Sequence, residues 1–76
     1  MKRLTAKVPV EYIEQGIKWL AIQQGEDGFS WYLLMFCELG EHSDFDSWYL
    51  TKEVALLSAE EQYGIGPDDW TLEDVE

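Results

Sequence analysis

The sequence predicts an α+β domain, a small antiparallel sheet of three to four strands with a C-terminal helix packed on one face. Three observations predict it. Leu4, Ala6, Val8 and Val10 alternate with Arg3, Thr5, Lys7 and Pro9, the period of two of a half-buried strand. Phe29 to Leu39 is dense in aromatic and bulky apolar residues, broken only by Ser30 and Glu38, and a polar turn separates it from a second apolar run. Thr51 and Gly64 then bracket a segment with the cap residues of a helix.

Taken in order, the first strand ends at or near Pro9, which has no N–H to give to a ladder. Residues 10–24 admit two readings. Val10, Ile13, Ile17, Leu20 and Ala21 fit one helical face, with Pro9 in the first turn and Gly25 as a cap. Alternatively the chain breaks at Gln15-Gly16, and Ile17 to Gln23 is a strand entering a turn at Gly25-Glu26-Asp27-Gly28. Gly16 in mid-segment, and Tyr12, Trp19 and Ile22 off the stripe, tip the balance slightly to the strand.

Phe29 to Leu39 is expected to be central in the sheet, and Gly40-Glu41-His42-Ser43-Asp44 to turn it into a partner strand, Phe45 to Leu50. Thr51 stands as N-cap, and Glu53 suits the positive end of the helix dipole. Val54, Ala55, Leu57, Ser58 and Ala59 carry the helix to Tyr63, and Gly64 with Ile65 supplies the left-handed cap and its hydrophobic contact. In the tail, Pro67-Asp68-Asp69 has the composition of a first helical turn that would dock Trp70, with fraying expected beyond Leu72.

The 76 residues suit one domain. Four Trp, four Tyr and three Phe make a core attainable without disulfides, since each buried aromatic removes roughly 150–250 Å² from water. The single Cys37 cannot pair within the chain, which points to a reducing, cytoplasmic compartment. Pro9, Glu11 and Glu14 follow the basic N-terminus where a signal peptide would have an apolar run, and no stretch approaches the roughly 18 apolar residues of a membrane span. The net charge is −11, and four of the five basic residues precede Leu20. Such a field repels phosphate backbones and anionic lipid, so direct nucleic-acid and membrane partners are not expected, and a basic protein partner is favoured. The plainest meaning of the charge is a well-solvated surface.

Candidate chemistry is thin. Cys37 and His42 would be a nucleophile and base if adjacent, but a cysteine in an apolar strand behaves as a small hydrophobe. Glu38, Glu41, His42, Asp44 and Asp46 crowd one hairpin. In an EF-hand register from Asp44, however, Trp48 and Tyr49 fall where a ligand and the turn glycine belong, and Ala55 replaces the bidentate Glu. Gly64-Ile65-Gly66 follows a helix and lacks the third glycine of a dinucleotide fingerprint. Glu60-Glu61 and Asp68-Asp69 are adjacent pairs that face apart on a helix. No catalytic residue, metal or cofactor is expected.

The strongest functional signal is the strand with two apolar faces. Trp31, Leu33, Met35, Cys37 and Leu39 lie on one side, Tyr32, Leu34 and Phe36 on the other, and one helix covers one side only. The candidates for the second cover are residues 10–24, the Trp70 tail, a second copy in a homodimer, or a partner protein. Trp31, Tyr32, Trp48 and Tyr49 are the expected interface residues, with Trp19 adding to them if exposed.

Asp46-Ser47-Trp48, Ala55, Ala59-Glu60-Glu61-Gln62-Tyr63, Gly64-Ile65 and Trp70 resemble a recurring pattern in small uncharacterised bacterial proteins. In that pattern an Asp-x-Trp strand feeds a helix that ends in an aromatic-Gly-Ile corner, with a Trp beyond. The resemblance implies a bacterial, cytoplasmic, stand-alone domain and brings no activity with it. The expected function is therefore non-enzymatic protein binding or regulation through an aromatic sheet face. The alternatives are an acidic inhibitor or nucleic-acid mimic of phage or immunity type, which calls for acids in regular array, and a small Cys37/His42 hydrolase.

Overall fold

The N-terminal alternation forms strand β1 (Lys2–Lys7). After Pro9 the chain makes a single 3₁₀ turn, Val10–Tyr12, and Val10 leaves the apolar row for solvent. The structure, a computed structural model, describes residues 2–13, 16–40 and 42–74. Gln15, half of the expected break, lies outside them, as does Glu14. Gly16, the other half, has φ +79°, a left-handed conformation that a helix interior does not contain. Residues from Trp19 therefore extend as β2 (Trp19–Gln24), the strand reading of this segment. Leu20, Ala21 and Ile22 are consecutively buried, as on an interior strand closed on both faces.

A tight turn at Gly25–Gly28 returns the chain as β3 (Trp31–Phe36), shorter at both ends than the apolar run suggests. Asp27 organises this turn by accepting from the Phe29 and Ser30 amides and from the Ser30 hydroxyl, at 2.8, 2.9 and 2.6 Å. Those hydrogen bonds hold its carboxyl below the usual carboxylate range, the Ser30 hydroxyl first among them. β4 (Phe45–Tyr49) closes the next hairpin, and α1 (Lys52–Tyr63) follows. Thr51 Oγ1 accepts from the Val54 amide at its start. At its end Gly64 adopts φ +68°, and a Cβ there would lie 2.5 Å from the Tyr12 ring. The left-handed conformation is what calls for glycine, and the partly exposed Tyr12 ring would also have to shift to admit a Cβ.

The chain then departs from the predicted tail. Gly66–Asp69 does make a turn, with the Gly66 amide on Asp69 Oδ2 at 2.7 Å, but the following residues form β5 (Thr71–Asp74) instead of a frayed end. β5 pairs antiparallel with β1, Leu72 opposite Leu4 and Glu73 opposite Arg3. The sheet thus has five strands, one more than the predicted three to four, all antiparallel, in the order β4-β3-β2-β1-β5. β2, not β3, stands at its centre.

α1 lies over β2, β3 and β4. It meets them through Ala55 and Ala59, one turn apart and fully buried, whose small side chains let the helix axis come close. Leu20, Ile22, Leu33 and Ile65 fill the space around them, and Leu4, Trp31, Met35, Tyr49 and Trp70 pack at the margin. Val54 and Leu57, also on the helix, are about half exposed. The Tyr49 hydroxyl meets Ser58 Oγ at 2.6 Å, and the Tyr63 hydroxyl donates to Met35 Sδ at 3.4 Å, so two polar contacts hold the helix to β4 and β3. No described helix is long and apolar enough to cross a membrane.

Candidate functional site

Strand alternation and register assign each side chain to a face. Beneath α1 lie Leu4, Ala6, Leu20, Ile22, Trp31, Leu33, Met35 and Tyr49. The opposite face carries Arg3 and Thr5 on β1, Ala21 and Gln23 on β2, Tyr32, Leu34 and Phe36 on β3, and Trp48 on β4. The four expected interface residues thus divide into two cross-strand pairs, on opposite sides of the sheet. Trp31 faces Tyr49 under the helix, where Lys52 Nζ lies 5.9 Å from the Trp31 ring centroid. Tyr32 faces Trp48 on the side away from it.

That second face is closed over part of its area by a device absent from the expected covers. Arg3, only 6% exposed, reaches across the sheet to place its guanidinium 5.5 Å from the Phe36 ring centroid. It donates to the Gly40 carbonyl at 3.2 Å, and its Nε and Nη2 both donate to Glu73 Oε1, at 3.2 and 2.8 Å. The Arg3 contact ties Gly40 to this face, and Asp44 accepts from the Cys37 amide at 2.7 Å just past the end of β3. Phe36 and Ala21 are fully buried as a result. Arg3 is the single arginine of the sequence and stands among the polar residues of an alternating strand. Alternation alone assigns it to solvent. The signal that could have found it is a guanidinium, the side chain best suited to burial against a ring and a carboxylate, opposite an apolar face with no other cover.

Outside this cap the face stays open. Trp48 is 53% exposed on the edge strand β4, Tyr32 and Leu34 are half-buried beside it, and Trp19 is half-buried on β2 opposite Phe36. Asp46, opposite Leu34, is the acid on this part of the face. Neither the described residues of 10–24 nor Trp70 covers it by docking from outside. The former are partly β2 itself, and Trp70 packs with the core on the helix side.

Cys37 lies just past the end of β3 and is exposed, in contrast to its expected place in an apolar strand. Desolvation, and then the neighbouring Asp44 carboxylate, push its thiol up, which keeps it protonated and poorly nucleophilic at neutral pH. No hydrogen bond joins it to His42 among the described residues. Glu41, one member of the acidic hairpin cluster, lies outside the described residues, and among those described no group of three His, Cys, Asp or Glu is arranged to hold a metal ion. Comparison of the chain with protein-family models, curated proteins and solved structures finds no match.

Proposed function

We propose that this chain is a non-enzymatic protein-binding domain that engages a basic partner through the open part of its second sheet face. The observation that carries the reading is Trp48, a half-exposed tryptophan on an edge strand with Tyr32 directly across from it. Tryptophan and tyrosine are the residues most enriched at energetic centres of interfaces, and an exposed aromatic pair on a rigid sheet is pre-organised for that role. The outer edge of β4 adds unpaired backbone groups, to which a partner strand can hydrogen-bond. Asp46 and the net charge of −11 select a basic surface and speed its approach. Two copies of this chain would each bring that charge, which favours a different, basic protein over a homodimer. The exposed Cys37 thiol suits a reducing, cytoplasmic setting. The inhibitor reading calls for acids in a regular row, and neither β2 nor β3 carries one.

The test combines light scattering with affinity capture by the wild-type chain and by Trp48→Ala. A monomer that retains a basic protein, with retention lost in Trp48→Ala and weakened by salt, is the expected result. A dimer that persists on dilution would turn the face into a self-interface, and equal retention by Trp48→Ala would move the contact elsewhere.

A further inference from the structure

On the helix side, away from the Trp48 face, α1 and the Gly66–Trp70 corner enclose a groove of about 280 Å³. Ile65, 1% exposed, forms part of its lining, with Leu56 and Leu57 from the helix and Pro67 and Trp70 from the corner. Glu53 and Glu60 belong to the same lining. They stand seven residues apart on α1, two helical turns or about 10 Å, on one side of the helix. The volume falls just below the roughly 300–1,000 Å³ of small-molecule sites, and suits one or two inserted side chains better than a cofactor.

The charged residues that line the groove have one sign. From Glu53 onward the sequence holds eight acids and no Lys, Arg or His. The last turn of α1 carries no basic residue, where a cation would ordinarily answer the negative end of the helix dipole. Leu57 is 54% exposed, so the apolar lining reaches the surface. Trp70 Nε1 is a buried donor without an acceptor among the described residues. From the apolar lining and the unbalanced acids we infer that this groove docks a short cationic segment of another protein. An apolar side chain of the segment seats against Ile65 and Trp70, between two basic residues about 10 Å apart that meet Glu53 and Glu60. This surface is separate from the Trp48 face, and the inference does not rest on the reading of that face.

The experiment is a titration of the full chain, followed by amide and indole NMR shifts, with a synthetic amphipathic peptide of Leu and Lys and with its twin in which Glu replaces every Lys. The Lys peptide is expected to shift Leu56, Leu57 and the Trp70 indole N–H, and the Glu twin to leave them unmoved. Glu53→Gln with Glu60→Gln should weaken binding about tenfold, as the loss of two partly exposed ion pairs implies. Glu26→Gln with Glu38→Gln, which removes equal charge elsewhere, should weaken it no more than about threefold, by long-range field alone. Trp48→Ala should leave it unchanged, which separates this site from the sheet face. Equal losses in the two double variants, shifts centred on Tyr32 and Trp48, or no shift at millimolar peptide would each overturn the inference.

Discussion

The two faces of this sheet are both apolar in β3, yet they are closed by different means. Under α1, Leu33 lies in an interdigitated core with Ala55, Ala59 and Ile65, with the Tyr49 and Tyr63 hydroxyls at its margin. One residue along, Leu34 points to the other side, where cover comes from one arginine, one loop carbonyl and one carboxylate, and stops short of Trp48. A helix closes a face by surface area, through many small contacts. An arginine closes it by a few directed hydrogen bonds and the flat side of its guanidinium, and reaches only as far as one side chain. The first solution leaves a face fully structural. The second leaves a margin of sheet open to a partner.

The comparison breaks most sharply at Leu33 and Leu34. Leu33→Ala should cost about 3–4 kcal/mol in chemical denaturation, the range for a fully buried leucine that cannot be refilled, and Leu34→Ala about 1 kcal/mol. Similar losses would mean that the second face is packed as tightly as the first.

Arg3→Ala comes next, at about 2 kcal/mol, because it leaves the Gly40 carbonyl and Glu73 without their donor and uncovers Phe36. Increased binding of an apolar dye would report the opened face, and Arg3→Lys should restore little, since an ammonium cannot lie flat on the ring while donating in three directions. An unchanged midpoint would show that the cap contributes nothing.

Trp48→Ala should move stability by less than about 1 kcal/mol, as expected of a half-exposed side chain, so any loss of binding is separable from loss of fold.

The smallest effect is on the hairpin shared by the two faces. Asp27 is held below the ordinary carboxylate range by hydrogen bonds that exist only in the folded turn. A depressed native pKa stabilises above the unfolded value and ceases to do so as pH falls through the native one. The Phe29 and Ser30 amides should therefore lose protection from exchange as pH falls below the ordinary carboxylate range, and Asp27→Asn should abolish that dependence. In the same spirit, alkylation of Cys37 should be slow at neutral pH despite its exposure, and rise only above the usual thiol range.

Much of this fold is legible in local chemistry. Thr51 and Gly64 mark the helix because capping needs only an oxygen at one end and a residue free of Cβ strain at the other. β1, β3 and β4 announce themselves by composition, and the Gly25–Gly28 turn by its glycines. β5 does not. Thr71-Leu72-Glu73-Asp74 has no run of strand formers, and becomes a strand because β1 offers a free edge and Arg3 a partner for Glu73. β2 was ambiguous because a strand buried on both faces has no alternation to read, and its apolar residues can equally be laid on a helix.

The candidate site was half legible for a related reason. Aromatic residues at 31, 32, 48 and 49 signal a large apolar surface, but which of them stay exposed depends on the side from which the helix arrives. By itself, then, the sequence determined the α+β class, the capped helix, the acidic surface and the excess of apolar area in β3, all properties that neighbouring residues set among themselves. The tertiary structure alone decided the fifth strand, the removal of Trp31 and Tyr49 beneath α1, and the closure over Phe36. Each of these depends on groups brought together from distant parts of the chain, Arg3 with Gly40 and Glu73 above all, and no local pattern encodes such a meeting.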